Sequence, residues 1–224
     1  PLAAGPFLPD AATLPALRLL VRETDGDSVR LDTLRISAAG TGADSSAIDL
    51  VRLHIDNDAD GQVGPGDLAL TAAPFNADDG TATLAGLNLT IPGSASRHLL
   101  VTFNTAQASS STPGQTFSAS LAAGGVDAIA TITGAPITPV GLPVSGPTLT
   151  VPDRELAVST GTASPTAATA VFRDDSAQPV LSLALATTVA GPVTLDSLTV
   201  TASGTLDDSA DVVSLGLTLD LDGD

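Results

Sequence analysis

Residues 51–55 read Val-Arg-Leu-His-Ile, and the chain continues from them directly into a run of acidic residues. The apolar Val51, Leu53 and Ile55 alternate with Arg52 and His54. This period of two is typical of a β-strand that buries one face. We therefore expect this stretch to lie in a sheet with its apolar face on a core and its polar face toward solvent.

The same alternation recurs along most of the chain. It is present in residues 17–22, 34–38 and 99–103, and further strand-like runs occupy residues 84–91, 117–121, 126–132, 181–185, 193–200 and 212–221. Clusters such as Asp25-Gly26-Asp27 and Gly124-Gly125 separate the runs and predict turns. Short strands with frequent turns predict an all-β fold, an immunoglobulin-like antiparallel β-sandwich, rather than a parallel α/β sheet.

The chain also repeats itself. Residues 15–60 align without a gap to residues 179–224, so that Leu31-Asp32 recurs as Leu195-Asp196 and Asp44-Ser45 recurs as Asp208-Ser209. The matches include Gly and Asp at fixed places, which biased composition alone does not explain. We therefore expect the fold to consist of β-sandwich repeats.

The repeat predicts where the units lie. The first is expected to cover residues 1–147 with its N-terminal strand missing, because the strand-like residues 149–151 and 156–158 have no counterpart before Pro1. The second is expected to cover residues 148–224 and to stop inside its acidic loop. The Pro- and Gly-rich residues 136–147 are typical of a short, stiff linker.

Charge limits the partners. Asp and Glu number 25 against 8 Arg and no Lys, for a net charge of −17. Such a surface repels nucleic acid and anionic lipid, and attracts divalent cations. No apolar run approaches the roughly 20 residues of a membrane helix, so we expect no membrane insertion. Without Cys or Lys, neither disulfides nor Lys–Asn isopeptide bonds can brace the fold, and a metal ion is the remaining brace.

Residues 56–67 read DNDADGQVGPGD and match the twelve-position calcium loop D-x-[DN]-x-[DN]-G-x5-[DE]. Carboxylates at positions 1, 3 and 5 converge on the ion, the Gly at position 6 permits a sharp turn, and positions 7 and 12 add a carbonyl and a carboxylate. The motif predicts a Ca²⁺ site with these ligands: Asp56, Asp58, Asp60, the carbonyl of Gln62, and Asp67. The alternative is a solvated acidic turn without metal.

Other acidic and titratable residues are weaker candidates. Asp220, Asp222 and Asp224 repeat the first three ligands and predict a second, partial and weaker calcium loop. Asp207, Asp208 and Asp211 could hold a second ion, but a solvated loop is the expected interpretation, and Asp78-Asp79-Gly80 is expected to be a hairpin turn. His54 is expected to be structural, and neither His54 nor His98 lies in a catalytic Ser/His/Asp pattern.

The loop resembles the calcium loops of dockerins and EF-hands, but a strand rather than a helix leads into it, and residues 68–71 do not indicate a helix after it. The wider pattern of strand, acidic loop and D-D-G turn, over about residues 14–151, resembles tandem calcium-loop β-sandwich modules of large secreted bacterial surface proteins. This resemblance implies an extracellular or cell-surface location in a bacterium.

Together these features favour a calcium-stabilised structural repeat protein of a surface fibre, filament, layer or adhesin stalk. Incomplete sandwiches expose unpaired strand edges, so self-association end to end or by strand donation is expected. The alternative is a carbohydrate-binding or accessory module of a secreted enzyme, which the absence of Trp and Tyr disfavours. An enzyme is not expected, because the chain has no Cys or Lys and two isolated His.

Overall fold

A computed structural model describes residues 2–8, 10–106, 111–153, 156–161, 180–187, 195–201 and 214–218. The chain divides into two compact units, Pro1–Pro152 and Asp153–Asp224. The described residues are mostly β-strand and the sheets are antiparallel apart from one short parallel pair, so the prediction of an all-β fold is confirmed.

The first unit contains two sheets. Its elements are β1 (Gly5–Pro6), β2 (Leu14–Arg22), β3 (Val29–Gly40), α1 (Asp44–Ala47), β4 (Ile48–Ile55), β5 (Leu68–Ala73), β6 (Thr81–Ile91), β7 (Ser96–Thr105), β8 (Thr116–Ala130), β9 (Val144–Ser145) and β10 (Leu149–Thr150). One sheet has the strand order β1-β10-β8-β3-β6, with β9 also paired to β8, and the other has the order β2-β7-β4-β5.

The two sheets share one hydrophobic core. Ile36 of β3 and Leu84 of β6 come from one sheet, and Leu53 of β4 and Phe103 of β7 come from the other, and all four are fully buried in the same cluster. The alternation of apolar residues along each strand places them on the inner face. The first unit is therefore a β-sandwich.

One predicted turn is a bulge. Gly124-Gly125 was expected to separate two strands, but β8 runs without interruption from Thr116 to Ala130. Beside it, Leu34 of β3 pairs with Val126 while Ile36 pairs with Leu121, so the extra residues of β8 protrude from the ladder. Gly124 has φ +82°, a conformation that glycine adopts without strain, and this permits the bulge within a continuous strand.

The first unit extends to Pro152, beyond the expected boundary at residue 147. Leu149 and Val151 are buried in the first core, and β10 pairs with β8 on one side and with β1 on the other. Beside them, the Phe7 ring stacks on Phe117 with 4.0 Å between the ring centroids. Residues 149–151 therefore belong to the first unit, whereas the repeat had suggested that they form a strand of the second.

Glu23 joins two loops at one end of the sandwich. Its carboxylate accepts hydrogen bonds from the backbone N–H groups of Asp25, Gly26 and Ser94. These donors, that of Ser94 most of all, lower the pKa of Glu23 because they stabilise its charged form. This end of the sandwich also carries the acidic loop of residues 56–67.

In the second unit, β11 (Leu156–Thr160) pairs antiparallel with β12 (Leu183–Thr187). The described parts of two further predicted strands, residues 195–200 and 214–218, do not form strands. Across the described ranges the only helix is the four-residue α1, and none is long and apolar enough to cross a bilayer.

Candidate metal centre

The acidic loop connects two paired strands. β4 leads into it and β5 follows it, with Ile55 opposite Leu68 in the antiparallel register. The backbone N–H of Asp56 donates to the carbonyl of His98, 3.0 Å away, and so ties the start of the loop to β7. The prediction that strands, and not helices, flank the loop is confirmed.

Three of the predicted ligands converge. Asp56, Asp58 and Asp60 each offer a carboxylate oxygen, and these oxygens lie within 4.8 Å of one another. Asp56 is buried, at 2% exposure, whereas Asp58 and Asp60 face solvent. This is an arrangement of hard oxygen donors with one buried side and one open side, which suits a divalent cation such as Ca²⁺.

Backbone hydrogen bonds hold this arrangement. The N–H of Asp60 donates to Asp56 Oδ1 at 3.1 Å, and the N–H of Gly61 donates to Asp56 Oδ2 at 3.2 Å. The N–H of Gln62 donates to Asp60 Oδ1 at 2.7 Å. Gly61 has φ +80°, as the sharp turn at position 6 requires. The loop is therefore curled by its own residues around the three carboxylates.

Asp67 closes the loop in a different way. Its two carboxylate oxygens accept the backbone N–H groups of Gly64, at 2.7 Å, and Asn57, at 2.9 Å. These hydrogen bonds, that of Gly64 first, lower the pKa of Asp67. Asp67 lies outside the group of three converging carboxylates, and Gln62 is exposed. That Asp67 and the Gln62 carbonyl complete the coordination stays a prediction.

Arg18 is part of this centre, although no motif in the sequence indicates it. Its Nε lies 3.2 Å from Asp56 Oδ2, and its guanidinium donates to the Ala59 carbonyl. The pairing of β2 with β7, and of β7 with β4, brings Arg18 to the loop. Arg18 therefore neutralises part of the charge on the most buried of the three carboxylates.

His54 lies under the loop. It is 5% exposed, and its Nε2 is 3.2 Å from the Thr102 hydroxyl. Burial, and then the charge of Arg52, lower the pKa of His54, so the ring is neutral at pH 7. The burial and the single hydroxyl partner are those of a packed structural histidine.

A second acidic group lies elsewhere in the first unit. Asp44, Asp78 and Asp79 also offer carboxylate oxygens within 4.8 Å of one another. The prediction of a hairpin at Asp78-Asp79-Gly80 is wrong, because this turn joins β5 of one sheet to β6 of the other. The crossing between sheets is what brings the turn to Asp44.

The pKa of Asp44 is raised, whereas those of Glu23 and Asp67 are lowered. Burial raises the pKa of Asp44 to about 6; the Asp79 N–H opposes the rise and the charges of Asp78 and Asp79 add to it. A carboxylate that is desolvated and repelled by two others is destabilised as long as no cation accompanies it. The sequence did not indicate Asp44 as a candidate ligand; its recurrence as Asp208 in the repeat is a feature that could have drawn attention to it.

The remaining candidates lie outside the described residues. These are the partial loop and the acidic positions before it: Asp220, Asp222, Asp224, Asp207, Asp208 and Asp211.

Comparison of the chain with protein-family models, curated proteins and solved structures found no match. The two acidic groups and the sandwich that carries them are therefore the features that indicate a function.

Proposed function

We propose that this chain is a calcium-stabilised structural module, built from immunoglobulin-like β-sandwich repeats, of an extracellular bacterial fibre, filament, layer or adhesin stalk. The observation that carries the proposal is the convergence of Asp56, Asp58 and Asp60 on a loop turned at Gly61. Asp56, Asp58, Asp60, the Gln62 carbonyl and Asp67 hold the ion, and Asp220, Asp222 and Asp224 hold a second one more weakly.

The role of the ion is mechanical. The loop closes a hairpin of two short strands, so no pair of helices is present to open and expose a groove, as in calcium sensors. A bound cation would hold the exposed Asp58 and Asp60 against the buried Asp56 and relieve part of the self-repulsion of a chain with net charge −17. Binding only the folded state, calcium raises stability by mass action.

Unpaired strand edges support self-association. Within the described residues, β5 pairs with β4 on one side only, and Leu68 on it is 56% exposed. Such an edge offers free backbone N–H and C=O groups to a strand from another chain. Contacts that join different surfaces head to tail need not close into a ring and can extend into a fibre.

The test of the calcium loop is thermal unfolding with and without calcium. With calcium at about 100 times its dissociation constant, the stability gain is about 2.7 kcal/mol. For a domain of this size this raises the unfolding temperature by roughly 5–10 °C. We expect Asp58→Asn combined with Asp60→Asn to lose most of the rise.

The matched control is Asp25→Asn combined with Asp27→Asn, which removes the same charge from exposed residues outside the loop. It should keep the calcium response of the wild type. A loop variant that gains as much stability from calcium as the control does would exclude the loop as the stabilising site.

A further inference from the structure

The second acidic group lies at the end of the sandwich opposite the calcium loop. Asp44 begins α1, in the connection from β3 of one sheet to β4 of the other. Asp78 and Asp79 lie in the connection from β5 back to β6. Each connection crosses between the sheets, so the group joins the two crossovers at this end.

The three residues contact one another directly. The backbone N–H of Asp44 donates to Asp78 Oδ1 at 3.1 Å, and the backbone N–H of Asp79 donates to Asp44 Oδ2 at 3.1 Å. These bonds use one oxygen of Asp78 and one of Asp44. They hold three carboxylates together without supplying any positive charge.

The second observation is a buried oxygen without a partner. Asp44 is fully buried, at 0% exposure, and its Oδ1 has no hydrogen-bond partner. Burying such an oxygen is costly, and in native proteins it calls for a bound ion or water. The ion pairs among the described residues join Arg18 to Asp56, Arg30 to Asp32 and Arg35 to Asp127, and none reaches Asp44.

We propose that Asp44, Asp78 and Asp79 form a second divalent-cation site, which takes Ca²⁺ through Asp44 Oδ1 and the carboxylates of the exposed turn. Hard oxygen ligands suit Ca²⁺ or Mg²⁺, and the larger, more flexible coordination of Ca²⁺ suits ligands from two separate connections. Asp78 and Asp79 are exposed, so the ion has a path from solvent and water can complete its shell.

The two sites act independently. β4 spans 8 residues between them, which corresponds to about 26 Å at the usual rise of a strand. This exceeds the screening length of about 8 Å at physiological ionic strength. One ion would close the β4–β5 hairpin, and the other would tie the two crossovers at the far end. Calcium would thus brace both ends of the module.

The test measures the number of calcium ions bound per chain, by equilibrium dialysis of the full chain against about 1 mM free calcium. This concentration lies in the range of dissociation constants of weak extracellular calcium sites. A loop-deficient chain is made first, with the substitutions Asp58→Asn, Asp60→Asn, Asp220→Asn, Asp222→Asn and Asp224→Asn. We expect this chain to keep one bound calcium. Adding Asp78→Asn and Asp79→Asn should remove it, whereas adding Asp25→Asn and Asp27→Asn, with the same loss of charge, should not.

A second measurement separates a cation site from a structural contact. Asp44→Asn removes a buried charge that two carboxylates repel. In the loop-deficient chain it should raise the unfolding temperature in a calcium chelator and abolish the rise that calcium causes. A contact needed only for folding would instead lower the unfolding temperature equally in both conditions.

The proposal is overturned if the loop-deficient chain binds no calcium, or if its calcium survives the Asp78 and Asp79 substitutions. These measurements use a chain whose loop ligands are already substituted. A loop that binds no calcium would be detected by comparing the thermal unfolding of the wild type and the loop variant, and it would not change the result for the Asp44 site.

Discussion

Replacing Arg18 tests whether Arg18 and a bound calcium ion both stabilise the negative charge of Asp56. Arg18→Met keeps most of the length of the apolar stem and removes the cation. In the structure, Arg18 Nε lies 3.2 Å from Asp56 Oδ2, with the Asp56 side chain fully buried and that of Arg18 24% exposed. The substitution therefore leaves a buried carboxylate without its cationic neighbour.

The magnitude follows from that geometry. Two unit charges 3.2 Å apart attract by about 5 kcal/mol at an effective dielectric constant of about 20. Desolvation of Arg18 offsets part of this, so we expect the free energy of unfolding to fall by about 3 kcal/mol without calcium. A bound Ca²⁺ supplies positive charge to the same group of carboxylates, so in saturating calcium the loss should shrink to about 1 kcal/mol.

The loss of stability caused by Arg18→Met is thus about 2 kcal/mol smaller in calcium than without it. Because binding and folding are linked, the variant must bind calcium more tightly by the same free energy. Its dissociation constant for calcium should be about 30-fold lower than that of the wild type. The chain has no Trp or Tyr, so urea unfolding is followed by far-ultraviolet circular dichroism, in chelator and in calcium. Isothermal titration calorimetry gives the dissociation constant.

Arg22→Met is the control, since Arg22 is an exposed residue at the end of the same strand. It should change neither stability nor calcium affinity appreciably. If Arg18→Met destabilises the chain equally in chelator and in calcium and leaves the dissociation constant unchanged, the reasoning is refuted, because Arg18 and the ion would then not share the charge of Asp56.

Three further predictions follow from the same structure. Gly61→Ala places a side chain at φ +80° and should destabilise the chain by about 1 kcal/mol. It should also weaken calcium binding measured by calorimetry, and an unchanged calcium affinity would contradict the curled loop. The pKa of Glu23 is lowered below its ordinary 4.5, so its charged form stabilises the fold above pH 4.5, and this stability is lost as the pH falls through the lower pKa of the folded state. Glu23→Gln should therefore reduce the loss of stability at acidic pH, as measured by unfolding at a series of pH values. Parallel pH profiles of the wild type and the variant would contradict this role of Glu23. Light scattering of the purified chain should show larger particles in calcium than in chelator, and a monomer in both conditions would count against end-to-end assembly.

The residues that sequence alone located are those whose roles depend on local spacing. The alternation of Val51, Leu53 and Ile55 predicted a strand, and the structure places it in β4. The spacing of Asp56, Asp58 and Asp60, and the glycine that follows, predicted a curled acidic loop, because a turn at that glycine brings ligands two residues apart together within one short segment.

Pairing between distant segments decided the rest. Gly124-Gly125 predicts a turn from its composition, yet β3 pairs along both sides of it and the residues between become a bulge. The extent of the first unit was likewise settled by the burial of Leu149 and Val151 against strands far away in the chain. The sequence around these residues does not specify which distant strands they will contact.

The same distinction separates the two acidic groups. The ligands of the loop lie within one short segment, so their sequence spacing is also their spatial spacing. Arg18 meets Asp56 only through the register of three neighbouring strands, and Asp44 meets Asp78 and Asp79 only because two connections cross between the sheets at the same end. Strand register and sheet crossings depend on how the whole core packs, so only the tertiary structure could bring these charges together.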